Sequence, residues 1–185
     1  MTDLNGGPMA VEQLATPQVD EYLAVLSEVD SGSGVDGEGH SHPYGRSESF
    51  DPAERRAREV TRWSTAVEAT GWRRVLGLFD GDDLVGHLTL VGGELPSETH
   101  RVGMGMGILR SHRRRGGGSL LLRAAIEWAG AHAEIEWIDL GVFSDNPGAQ
   151  ALYERHGFEV LGFAPDRYRV DGVSIGDVSM TLKLS

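Results

Sequence analysis

Hydrophobic and polar positions along this chain change period several times, and the changes mark its elements. Ala10 to Leu14 reads as a short first strand. A helical stripe of Val19, Tyr22, Leu23 and Leu26 follows, with Thr16 placed to cap it and Pro17 at its first position. It stops at Ser31-Gly32-Ser33-Gly34. Residues 31–50, rich in Gly, Ser and His, carry no period and read as a long, mobile loop that serves as an acceptor-side lid. A second helix starts with Asp51 as N-cap, Pro52 at the first position and Glu54 in the first turn, and runs to about Ala69. Arg73–Phe79 and Leu84–Val91 are β-rich runs joined by the hairpin signal Asp80-Gly81-Asp82-Asp83. A third such run extends from about His100 to Leu109.

Past a glycine cluster the helical spacing returns at Leu120, Leu121, Ala124, Ala125 and Trp128. Trp137–Phe143 is apolar enough for a strand buried on both faces. A last helix opens at Asn146-Pro147 and closes at His156-Gly157, and two runs, Phe158–Val170 and Val173–Leu182, flank Asp171-Gly172. The order is strand, two helices, three strands, helix, strand, helix, two strands. This predicts a mixed α/β (α+β) single domain over residues 10–185 after a flexible N-terminus at 1–9.

Composition narrows the function. The chain has 185 residues, 39% of them hydrophobic, enough for one cored domain. It has no cysteine, which excludes disulfides, thiolate metal sites and a cysteine nucleophile and fits a cytoplasmic protein. No window has the apolar length of a membrane span, so no membrane partner is expected. The formal net charge of −11 is the wrong sign for a general nucleic-acid binder and suits a cationic partner instead. The local exception is Arg110, Arg113, Arg114 and Arg115, a basic cluster sized for one anion.

That cluster adjoins Gly116, Gly117, Gly118 and Ser119, where a strand passes into a helix. Glycines let the backbone approach a ligand, and the helix N-terminus offers free N–H groups to a phosphate. The alternative is a flexible turn beside solvated arginines. In the preceding strand Gly103, Gly105 and Gly107 alternate with Met104, Met106 and Ile108, so one face is bare. Either a ligand or a packed helix accounts for that face.

Asn146 sits where a buried strand gives way to a helix, and Tyr153 lies two turns further on the same face. Each alone reads as a cap and as packing. Together, Arg113, Gly116 and Gly118 (R-x-x-G-x-G) followed by Asn146, Ala149, Leu152, Tyr153, Gly157 and Phe158 (N-x-x-A-x-x-L-Y-x-x-x-G-F) make the chain resemble the GNAT N-acetyltransferases. The resemblance implies a mostly antiparallel central sheet of six to seven strands, helices on both faces, and a splay between the fourth and fifth strands. It implies acetyl-CoA as co-substrate and an amine as acceptor: a small amine, an amino acid, an antibiotic or a protein N-terminus. Backbone groups of Met106, Gly107 and Ile108 would pair with the pantetheine arm. Arg113, Arg114, Arg115, Gly116, Gly117, Gly118 and Ser119 would surround the diphosphate, Asn146 would hydrogen-bond pantetheine, and Tyr153 would stand at the thioester sulfur. Monomer and homodimer both fit.

One position departs from the family pattern. Some relatives carry a glutamate five residues before the asparagine, where this chain has Gly141. Glu94, Glu98, Asp139 and His100 are the nearby candidates for a base, and His100 is preferred for its intrinsic pKa. The missing glutamate also leaves room for a catalytically silent acyl-CoA-binding sensor. His40 and His42 lack the partners of a metal motif and read as loop histidines, so no metal is expected. Trp63 and Trp72 read as core, and Asp166 to Arg169 as a border of the acceptor side.

Overall fold

A computed structural model describes residues 8–45, 47–48 and 51–185. Of the segments read as a flexible N-terminus and a mobile loop, residues 1–7, 46, 49 and 50 lie outside the described residues. The elements are β1 (Ala10–Gln13), α1 (Val19–Ser31), α2 (Pro52–Ser64), β2 (Arg73–Asp80), β3 (Asp83–Gly92), β4 (Arg101–Ile108), α3 (Gly117–Gly130), β5 (Trp137–Phe143), α4 (Pro147–Glu154), β6 (Glu159–Val170) and β7 (Val173–Lys183). The strands form one sheet in the order β1-β2-β3-β4-β5-β7-β6. Every neighbouring pair is antiparallel except β4 with β5. That parallel pair is registered only at Arg101–Gly103 against Trp137–Asp139, after which the two strands part. No described helix is long and apolar enough to cross a membrane.

Alternation along the strands feeds two cores. On one face α3 lays Leu121, Leu122, Ala125 and Ala129 against Leu76, Leu78, Leu88, Leu90 and Ile138, all buried. On the other, α1 and α2 bring Val19, Tyr22, Val25, Val29 and Trp63 onto Val75 and Leu84. Trp72 and Trp63 are both core residues, as read from the sequence.

Local chemistry sets the helix ends. Asp51 caps α2 by accepting from the N–H groups of Ala53 and Glu54 at 2.8 and 3.2 Å. The helix stops at Ser64 rather than near Ala69, because the Ser64 and Thr65 hydroxyls bond back to Val60 and Thr61 and the Arg74 guanidinium takes up the carbonyls of Trp63 and Thr65. Thr16 does not cap α1: it lies inside a short 3-10 turn whose cap position is Ala15, with the Gln18 side chain accepting from Ala15 N–H. In β5 only Ile138, Leu140 and Val142 are buried. The strand is therefore buried on one face rather than on both.

The core beneath α1 and α2 holds polar groups. Glu59 is 1% exposed, accepting from Arg73 at 2.6 Å and from the Trp63 indole at 3.2 Å. His87 is edge-on to Tyr22, and both its ring nitrogens are buried without a partner among the described residues. Burial, aided by the charges of Arg73 and Arg55, pushes the His87 imidazole down to about 4. Its folded pKa thus lies below the ordinary value of about 6.5, so the neutral ring stabilises the fold above pH 6.5. That contribution is lost as pH falls towards 4, and amounts to roughly 3 kcal/mol. Between pH 7 and pH 4 the protein is expected to lose about 3 kcal/mol more than its His87→Leu variant, measured by urea unfolding.

Candidate active site

The parting of β4 and β5 opens a cleft of about 490 Å³ in the middle of the sheet. One wall is β4 from Met104 to Ile108, and the other is Gly141 to Phe143 of β5 with α4 behind it. Beyond Gly103 the β5-facing N–H and C=O groups of β4 have no strand partner, because the register ends there.

At the far end of β4 the chain makes the glycine turn. Arg114 and Gly116 hold positive φ of 61° and 86°, the kind of winding that forms anion-binding backbone nests. The N–H groups of Arg114, Arg115, Gly116, Gly117 and Gly118 make no backbone hydrogen bond among the described residues. They lie at the N-terminus of the 14-residue α3, whose dipole favours an anion. Arg114, Gly116, Gly118 and Ser119 line the cleft. Gly117 does not: its Cα packs on the core, where a Cβ would come within 2.5 Å of Leu78. Arg115 also turns away and pairs with Asp80 at 2.9 Å. Arg113 lines the cleft while its guanidinium donates to the Ile108 carbonyl at 2.9 Å and to Glu38 at 2.6 Å.

Asn146 caps α4, its side-chain oxygen accepting from Ala149 N–H at 3.2 Å and leaving its amide NH2 for a ligand. Tyr153 projects from the same helix into the inner wall, 7% exposed and edge-on to Phe158. Its hydroxyl makes no hydrogen bond among the described residues, and burial pushes its pKa up to about 12. It is a neutral donor at any working pH.

The bare strand face turns toward α1. At Gly107 a Cβ would strike Val29 at 2.6 Å and His87 at 3.0 Å, whereas at Gly103 and Gly105 it would meet only ordinary contacts. Gly107 therefore makes room for a helix, as one of the two readings had it, while the face at Gly103 and Gly105 is left open. On that face of β5, Asp139 is held by Arg101 at 2.6 and 2.7 Å and by Thr181 at 2.6 Å. Its burial alone would raise its pKa, but the hydrogen bonds from Arg101 and Thr181 outweigh this and hold it low. Over Gly141 lies a carboxylate from the neighbouring strand, with Asp177 Oδ1 2.7 Å from where a Cβ would sit.

The α1–α2 loop crosses the mouth. Gly39 packs on the β5–α4 turn so closely that a Cβ would lie 2.6 Å from the Asp145 carbonyl oxygen. Glu38 and Asp36 reach Arg113 and Arg110 at 2.6 and 3.1 Å. On its other side the loop closes a second cavity of about 580 Å³ against α1 and the β6–β7 turn. Asp30, His42 and Arg55 line it, with Asp30 3.6 Å from Arg55. Burial pushes the Asp30 carboxyl up, against the pull of His42 and Arg55. His40 lines both cavities.

The structure thus brings Met106, Gly107, Ile108, Arg113, Arg114, Gly116, Gly118, Ser119, Asn146 and Tyr153 around one cleft. It does not bring His100 there. His100 precedes β4 at the closed end of the strand pair, where its carbonyl accepts from Glu136 and Trp137, and its side chain lines neither cavity. Glu94 pairs with Arg62 and Glu98 bonds within its own turn. Sequence reasoning weighed His40 only as a metal ligand and read it as a loop histidine, and it passed over Asp145.

Comparison with known proteins agrees with this geometry. Residues 41–158 match the model of the acetyltransferase (GNAT) family. The L-amino acid N-acetyltransferase AaaT of Escherichia coli K12 is 34% identical over 96 residues, which are 52% of this chain and 59% of that relative. The match therefore spans less than two thirds of the relative's length. Among solved structures, a GNAT-family acetyltransferase from Streptococcus pneumoniae superposes with a TM-score of 0.78 at 20% identity, covering 96% of this chain and 100% of that one. The protein yncA of Salmonella typhimurium, solved with its cofactor acetyl-CoA, gives 0.79 at 16% identity, covering 97% and 95%. At these identities the structural likeness speaks for the fold alone.

Proposed function

This chain belongs to the GNAT acetyltransferase family, and from that premise we propose that it moves an acetyl group from acetyl-CoA to the α-amine of an amino acid or a similarly small amine. The observation that carries the reading is the cleft, which joins an amide-lined helix N-terminus, an unpaired strand edge and the Tyr153 hydroxyl in one channel. Those parts fit the co-substrate. The amides of Arg114 to Gly118 suit a diphosphate, and the unpaired groups of β4 suit the amides of a pantetheine arm. The NH2 of Asn146 suits one of its carbonyls.

Acetyl-CoA supplies an acetyl group activated as a thioester. A cleft-side N–H of β4 holds the developing oxyanion. Tyr153 donates a hydrogen bond to the departing sulfur. Burial pushes the Tyr153 hydroxyl up to about 12, which favours donating a hydrogen bond to the sulfur over giving up the proton outright.

The acceptor class is supported by the AaaT relative's activity on L-amino acids and by the second cavity. That cavity is of small-molecule size, with polar walls that include the Asp30–Arg55 ion pair. Thiol release from acetyl-CoA is expected with free L-amino acids and absent with their N-acetylated forms. One-to-one binding of acetyl-CoA without turnover of any amine would favour the silent acyl-CoA binder instead.

A further inference from the structure

One contact of the α1–α2 loop is built from residues 105 positions apart. The backbone N–H of His40 reaches the two carboxylate oxygens of Asp145 at 3.1 and 3.3 Å, and its ring Nδ1 lies 2.6 Å from Oδ2. An ionised carboxylate only accepts, so the ring is held as the Nδ1–H tautomer and Nε2 keeps its lone pair. Nε2 makes no hydrogen bond among the described residues, and the side chain is 12% exposed. The ring rests against Gly34, whose φ is +65° and where a Cβ would lie 2.5 Å from Nε2. His40 is also a wall shared by the cofactor cleft and the acceptor cavity.

We propose that His40, oriented by Asp145, is the general base that deprotonates the acceptor amine. The proposal rests on the acetyl-transfer reading above. Nε2 takes one proton from the acceptor's ammonium, and the imidazolium formed is balanced by Asp145. The freed nitrogen lone pair forms the new C–N bond to the acetyl carbon as the C–S bonding pair leaves on sulfur. The surplus proton on the new amide nitrogen neutralises the sulfur, and the imidazolium returns its own proton to water. The products are an N-acetyl amide and a thiol, with one proton released overall. Imidazole is matched to this task, because its reference pKa lies nearest the working pH. The charged groups and histidines around it are Asp145 before α4, then Asp30, His42, Glu48, Arg55 and Asp171 around the acceptor cavity, and Glu38, Arg113, Arg114 and Arg155 on the cofactor side.

The test compares kcat/KM against pH for the wild type, His40→Gln, Asp145→Asn and Asp177→Asn, with acetyl-CoA affinity measured by calorimetry. Two acceptors are used: a primary alkylamine, protonated at pH 7, and an alkoxyamine, already neutral there. His40→Gln and Asp145→Asn are expected to lose about 10²-fold with the alkylamine at pH 7 and to recover as pH approaches that amine's own pKa. With the alkoxyamine the loss should be at least about tenfold smaller than with the alkylamine, and acetyl-CoA affinity measured alongside separates a disturbed cleft wall from a missing base. A wild-type pH profile in His40→Gln overturns the proposal, as does loss of the acid limb in Asp177→Asn alone. Equal loss with both acceptors overturns it too, since that marks a structural role. A wild type that binds acetyl-CoA but acetylates neither these amines nor any free L-amino acid overturns the transfer reading, and the base with it.

Discussion

Replacing Tyr153 by phenylalanine is expected to lower kcat by about 10²–10³-fold, the scale of losing one aimed donor at a reacting centre. Affinity for acetyl-CoA should stay within about twofold, because the hydroxyl acts only as charge builds on sulfur. The ring is packed against Phe158 and buried in the inner wall, so the substitution removes one oxygen and leaves the wall standing. The hydroxyl makes no hydrogen bond among the described residues, so none of them is orphaned. Stopped-flow single turnovers separate this from slow product release: the chemical step itself should carry the loss. Since the phenol stays protonated up to about 12, the variant should show no altered limb near neutral pH. A shifted limb would mean that Tyr153 moves a proton after all.

Replacing Ser119 by aspartate should weaken acetyl-CoA binding by about 10²-fold while raising the stability of the free protein. Ser119 lines the cleft in the first turn of α3. A carboxylate there suits the helix dipole and adds roughly 0.5 kcal/mol to helix stability. The same charge faces an incoming diphosphate. Two like-charge pairs about 5 Å apart at an effective dielectric of about 40 cost about 3 kcal/mol. Calorimetry and thermal unfolding therefore move in opposite directions, which a merely damaged turn would not do. Affinity unchanged by Ser119→Asp would remove the diphosphate from this end of the cleft.

Most of the architecture could be read from local chemistry, since capping residues, turn dipeptides and side-chain period are short-range signals. Asp51-Pro52 marked the start of α2 where it lies, and the apolar run Trp137–Phe143 has the bounds of β5. The cradle and the Asn146–Tyr153 pair were legible for the same reason: each sits within one strand-to-helix passage. What escaped depends on contacts across the chain. The early end of α2 is set by Arg74 on the next strand. Arg115 is drawn off by Asp80, a partner no spacing could suggest. His100 looked apt by residue type, yet its distance from the cleft follows from which end of β4 the strand pair closes. His40 gained its role only when the loop met the β5–α4 turn.

The parting of β4 and β5 has a cost unrelated to catalysis. It creates two edges in the interior of a sheet, each with hydrogen-bonding groups that an unrelated strand could take up. The glycines of β4 blunt that hazard, since a strand poor in side chains adds little apolar surface to a mispaired partner. On the proposed reading, the pantetheine arm would complete the sheet as a surrogate strand. By mass action the protein should resist heat and aggregation best when acetyl-CoA is plentiful, gaining about 2.7 kcal/mol at a hundred times its dissociation constant. A cell rich in the acetyl donor would thereby also keep this fold intact.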